Sequence, residues 1–145
     1  MKKKILAGAL VALFLLPINV FAAKGDQGVD WAIYQGDQGR FGYAHDKFAI
    51  AQIGGYNANG IYEQSTYKTQ VASAIAQGKR AHTYIWYDTY GNMDIAKQTM
   101  DYFLPKIQTP KGSIVALDFE HGASSDRNAN TKTILYGMRR IRQAG

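Results

Sequence analysis

The stretch SIVALDFE, Ser113 to Glu120, is a short apolar run that follows Gly112 and ends in two carboxylates. Such a run reads as a strand, here over 113–119, because it is brief, branched and bounded by turn residues. Three runs of the same kind precede it: QGVDWA at 27–32, KFAIAQI at 47–53 and AHTYIWY at 81–87. Helical patterns separate the later ones. Within 62–77, Tyr67, Val71 and Ile75 recur every four residues, and Gly78 stands where a helix end favours glycine. Within 92–104, Ile95, Ala96, Met100, Phe103 and Leu104 make one apolar stripe, stopped by Pro105. Ile134, Leu135, Met138 and Ile141 do the same over 130–143, whereas 34–46 is Gly-rich and irregular. The order β-loop-β-α-β-α-β-α predicts an α/β chain with a parallel sheet and crossover helices. An open doubly wound sheet and a (β/α) barrel both satisfy it, although a closed barrel normally takes eight strands.

The composition narrows the class. The chain has 145 residues, no Cys and 46% apolar residues, enough for one domain with a real core. Absence of Cys excludes a disulfide scaffold and Cys-ligated zinc or iron–sulfur sites. The formal charge of +6 overstates the basic character, because Lys2, Lys3 and Lys4 supply half of it. Those lysines open the segment MKKK-ILAGALVALFLL-PINVFAA, a basic start, a 12-residue apolar run and a small-residue end after Pro17. That order predicts a secretory signal over 1–23, cut after Ala22 or Ala23, and the apolar run is shorter than the ~20 residues of a spanning helix. The mature domain is then 24–145, secreted and without stable membrane association. Arg139, Arg140 and Arg142 sit on a helix end without interleaved aromatics and read as a solvated face, so nucleic acid is not an expected partner. No GxGxxG follows a strand and no P-loop occurs, which leaves a nucleotide site without support.

The chemistry gathers at the strand ends. Asp118 and Glu120 are two apart at the end of the last strand, so both project from one face, with Val115, Leu117 and Phe119 on the other. Strand C-terminal ends hold the active site in barrels and open parallel sheets alike. Two neighbouring carboxyls repel, and one then tends to keep its proton and act as a general acid. The bland reading of the same pair is a solvated strand end. Asp30 lies at another strand end with no basic neighbour in sequence. On the third strand His82, Tyr84, Trp86 and Asp88 share a face, and Tyr84 and Trp86 either stack on sugar rings or fill the core. His121 follows Glu120, faces the opposite way and reads as a loop residue. No His-x-x-His or Glu-x-x-His pair marks a metal site.

The series GVDWAIYQG, FAIAQIGGY, AIAQGKRAHTYIWY and GSIVALDFE, over roughly 25–122, resembles the glycoside hydrolase family 25 lysozymes in order and spacing. The resemblance implies a TIM-like (β/α) barrel, of which the chain holds the first four or so strands. It also implies cleavage of the β-1,4 bond between N-acetylmuramic acid and N-acetylglucosamine in peptidoglycan, the muramidase activity of phage endolysins and their bacterial kin. Glu120 matches the family's proton donor, Asp118 its partner carboxylate and Asp30 the aspartate of the first strand. Tyr84 matches the tyrosine at the sugar site. With Trp86, Asp88, Tyr34 and Gln52 it makes up the expected substrate-binding set. Neither a cofactor nor a metal is implied.

There are departures. Gln52 stands where many members carry a basic residue, and Trp31 and Ala32 replace commoner small or hydroxyl residues. Further strands are expected beyond Gly145, so the chain reads as the front of such a barrel, and an inactive fragment is one reading of it. Two other readings compete: a non-catalytic peptidoglycan-binding remnant, and a metal-dependent phosphodiesterase barrel, which also places carboxylates at strand ends.

Overall fold

The structure, a computed structural model, describes residues 24–145, so the expected signal over 1–23 lies outside the described residues. All four sequence-derived strands are present: β1 (Gly28–Trp31), β2 (Phe48–Asn57), β4 (Arg80–Tyr87) and β5 (Val115–Asp118). A fifth, β3 (Gly60–Glu63), falls where the sequence pattern predicted the start of a helix. It folds back on β2 as an antiparallel hairpin, with Asn57 paired to Gly60 and Gly54 to Glu63. The Asn57 side chain closes the turn by accepting from the Asn59 amide at 2.8 Å. Helix α1 (Tyr67–Ala76) therefore begins only after this hairpin.

The remaining helices are α2 (Met93–Phe103) and α3 (Arg127–Ala144). Each starts at a polar cap. Asn92 accepts from the amides of Asp94 and Ile95, and Asp126 accepts from those of Asn128 and Ala129. A side-chain oxygen in that position satisfies amide groups that have no partner in the first turn. The apolar stripe alone placed the start of α3 three residues late, because Asp126 rather than the first apolar residue sets the boundary.

The sheet is open and mainly parallel, in the order β1-β2-β4-β5, with β3 added to β2. The order follows the chain without reversal, so right-handed crossovers put every helix on one face. The core confirms this. Trp31, Ala49, Ala51, Ala81, Ile85 and Tyr87 of the strands pack with Tyr67, Val71 and Ala74 of α1 and Ala96, Met100 and Phe103 of α2. Burial of each large member contributes on the order of 1.5–3 kcal/mol. Trp31, a departure in the sequence pattern, is a core residue here, packed on Phe41 and donating to the Arg40 carbonyl at 3.2 Å.

The helix-free face of the sheet carries the polar and aromatic residues. Register pairs Gln52 with Tyr84, Tyr84 with Ala116, and Trp86 with Asp118, so these side chains share that face. An irregularity between Gln52 and Gly54 resets the pairing of β2 with β4. Gly54 has φ +136°, and a Cβ there would stand 2.2 Å from the Tyr62 carbonyl oxygen, so glycine allows the hairpin to close on β2.

Candidate active site

Three carboxyl groups converge at the C-terminal ends of the parallel strands. Asp30, on β1, accepts a hydrogen bond from the Tyr84 hydroxyl of β4. Burial raises its pKa, the Tyr84 bond works against that, and the Glu120 charge adds to the rise. Asp118, half-buried at the end of β5, shares a hydrogen bond with Glu120 in the loop that follows. Its pKa is pushed up to about 6, first by burial, then by the charge and hydrogen bond of Glu120, and then by Asp30 and Asp88. Asp118 therefore keeps its proton further toward neutral pH than an ordinary aspartate does.

The sign of this shift gives a test. Asp118 has an ordinary value of 3.8 and a folded value of about 6. Between these values the unfolded chain gives up its proton before the folded one does. The fold therefore loses stability as pH rises through about 6 and recovers it below about 4. Asp118→Asn is expected to raise the melting temperature relative to the parent at pH 7–8, with no gain at pH 3.5. An equal gain at both pH values would contradict the assigned environment.

A cleft of about 600 Å³ lies beside these groups, within the ~300–1,000 Å³ of small-molecule sites. Asp30, Tyr34, Gln52, Tyr84 and Trp86, all singled out in the sequence, line it. Tyr34 is 90% exposed on a short 3-10 turn that follows β1. Gln35 folds back on that turn, its Oε1 accepting from the Ala32 amide at 2.7 Å. Gln70 of α1 holds it from below, its Nε2 donating to the carbonyls of Ala32 at 2.7 Å and Gly36 at 2.8 Å. Gln52 is buried, with Nε2 donating to the Tyr62 hydroxyl at 3.0 Å and Oε1 accepting from Gln64 Nε2 at 2.6 Å.

Asp88 lies elsewhere. It is buried beneath the loop after β5, where Oδ1 accepts from the Gly122 amide at 2.8 Å, and it does not line the cleft. The Gly122 carbonyl in turn accepts from the Tyr90 amide at 2.6 Å. These bonds tie the loop carrying Glu120 to the end of β4. His121 is an exposed loop residue, as its sequence position suggested, but it does not turn away from the site: its ring stacks on the cleft-lining Trp86 with centroids 5.5 Å apart, because the loop after β5 no longer keeps the strand's alternation. Among the described residues no three His, Asp or Glu side chains gather to hold a metal ion, and no helix is long and apolar enough to cross a membrane.

Sequence reading missed Tyr62, Gln64 and Gln70. The first two sit on or beside β3, and the Asn-Gly pair at 59–60 was the available hairpin signal. Gln70 lies on the apolar stripe of α1 between Tyr67 and Ala74. A polar residue in that position signals a buried hydrogen-bonding duty.

Paired carboxyls beside a cleft of aromatic and amide side chains suit an enzyme that hydrolyses glycosidic bonds. Residues 29–145 match the sequence profile described as Glycosyl hydrolases family 25, and the chain belongs to that family, hence to the glycoside hydrolases. Over 55 residues it is 34% identical to a D-alanyl-L-alanine endopeptidase of Streptococcus phage B30. That stretch is 38% of this chain and 12% of the relative, so the chain matches only a small part of that protein. No solved structure matches.

Proposed function

We propose that the protein hydrolyses peptidoglycan by cutting the β-1,4 bond between N-acetylmuramic acid and N-acetylglucosamine, as a lysozyme of the phage-endolysin kind. The observation that carries this is the gathering of Asp30, Asp118 and Glu120 at the strand ends, beside a cleft that Asp30, Tyr34, Tyr84 and Trp86 line and that is able to take sugar rings. Family membership and the phage relative's printed name both point toward the cell wall.

In the proposed mechanism Glu120, the exposed member of the pair, delivers the proton to the leaving glycosidic oxygen. Asp118 holds and orients Glu120 and supports the substrate acetamido group. Asp30, held by Tyr84, supplies negative charge to the oxocarbenium-like transition state near the anomeric carbon. Tyr34, Tyr84 and Trp86 bind sugar rings. Asp88 acts through the Gly122 amide, which fixes the loop that carries Glu120.

The barrel belongs to this proposal. A strand order without reversal and helices on one face suit one arc of a (β/α) barrel, with the carboxyls on its inner side at the strand ends. A doubly wound sheet reverses its strand order and places helices on both faces. Export through a signal over residues 1–23, and action outside the cell, are also proposed.

The purified protein is expected to clear suspensions of Gram-positive walls and to do so equally in EDTA. Loss of clearing on chelation would favour a metal-dependent hydrolase. Wall binding without clearing would favour a peptidoglycan-binding remnant.

A further inference from the structure

We propose that Tyr62 reads the substrate in this cleft, donating its hydroxyl proton to an amide carbonyl such as that of an N-acetylated sugar. The inference rests on the glycan-cleaving reading of the site and adds the group that selects the sugar.

The argument begins with Gln52. Its Oε1 accepts from Gln64 Nε2, so its Nε2 is the end that donates to Tyr62. The Tyr62 hydroxyl oxygen thus receives a hydrogen bond while its own proton is still to be placed. Gln52 is its one hydrogen-bond partner among the described residues, and Asp88 and Asp118 reach it through charge alone. A phenol offers one donor and accepts through its oxygen. With the acceptor side occupied, what it presents to the cleft is a donor. The hydroxyl stays protonated at any physiological pH, since burial pushes its pKa up to about 12. The complement of a fixed donor is an acceptor, and an amide carbonyl is the strongest uncharged acceptor an amino sugar carries. A negatively charged partner is disfavoured by Asp30, Asp118 and Glu120 nearby.

Gln52 then acts as a positioning residue. It is 5% exposed and its amide is engaged at both ends. This neutral group orients a tyrosine of the hairpin.

Two uncharged tetrasaccharides separate the possibilities: β-1,4-linked N-acetylglucosamine and its β-1,4-glucose counterpart, which lacks the acetamido group. Binding to the full chain is read by Trp86 fluorescence, with His121→Ala as a control for the stacked ring. The parent is expected to prefer the acetylated tetramer. Tyr62→Phe is expected to weaken that ligand by about tenfold, the scale of one lost hydrogen bond, and to leave the glucose tetramer within about twofold. Gln52→Leu should shift the same preference in the same direction by a smaller factor. No preference in the parent, or an equal loss for both ligands, overturns the inference. Wall clearing, scored separately, reports on the proposed reaction. A parent that prefers the acetylated tetramer yet clears no walls would sink the reaction and leave the role of Tyr62 standing.

Discussion

Glu120→Gln is expected to slow glycan cleavage by about a thousandfold, the contribution of a positioned general acid. The amide keeps the size and much of the hydrogen-bonding capacity of the carboxyl but has no proton to give. Glu120 is exposed and lies in a loop, so folding should scarcely notice the change. The circular dichroism spectrum and melting temperature are expected to match the parent. Its pair with Asp118 changes in character, because the Asp118 pKa owes part of its rise to the Glu120 charge and hydrogen bond. Removing that charge should bring Asp118 down toward its ordinary range, visible as a shift in carboxyl titration by NMR. A variant within tenfold of the parent would show that the leaving oxygen takes its proton from another group.

Gly122→Ala is expected to cost about a hundredfold in rate, although residue 122 offers no side chain to the reaction. A Cβ there would stand 2.2 Å from Asp88 Cα and 2.5 Å from Asp88 Cβ. Backbone of the adjoining strand end cannot swing aside like the tip of a flexible side chain. The loop must lift by more than about 1 Å to reach ordinary contact, a displacement large enough to misplace a catalytic group. Lifting it stretches the Asp88–Gly122 bond and carries Glu120, two residues upstream, away from Asp118. Both the wall-clearing rate and the Asp118 titration should move. Unchanged activity in Gly122→Ala would mean that the loop position does not govern the acid. The glycine is needed for room rather than for a left-handed backbone.

Much of this site is legible in the sequence, for a physical reason. A strand has a side-chain period of two, so DFE at 118–120 and the alternating His82, Tyr84, Trp86 and Asp88 declare their faces without coordinates. Neighbouring parallel strands bring their C-terminal ends together, which gathers Asp30, Tyr84, and the Asp118–Glu120 pair from three distant segments. What stayed hidden depends on contacts that spacing does not encode. Period two gave Asp88 the same face as Tyr84, yet its carboxyl turns under the next loop because the Gly122 amide waits there. Gln52 lines the cleft as its strand position suggested, but the partners of its amide, Gln64 and Tyr62, lie on or beside a hairpin that the helical reading of 62–77 concealed. Tyr67, Val71 and Ile75 carry a real helical period, and that period was extended backward across residues whose pairing with β2 decides their conformation. Local propensity gave way to a ladder of backbone hydrogen bonds.

The most direct test is to identify the bond that breaks. Purified peptidoglycan, incubated with the protein, is assayed in parallel for new reducing ends and new free amino groups, and the terminal sugars are identified by mass spectrometry. The account predicts new reducing ends on N-acetylmuramic acid, no increase in amino groups, and neither product with Glu120→Gln. New amino groups without reducing ends, the signature of peptide-bond cleavage, would contradict it.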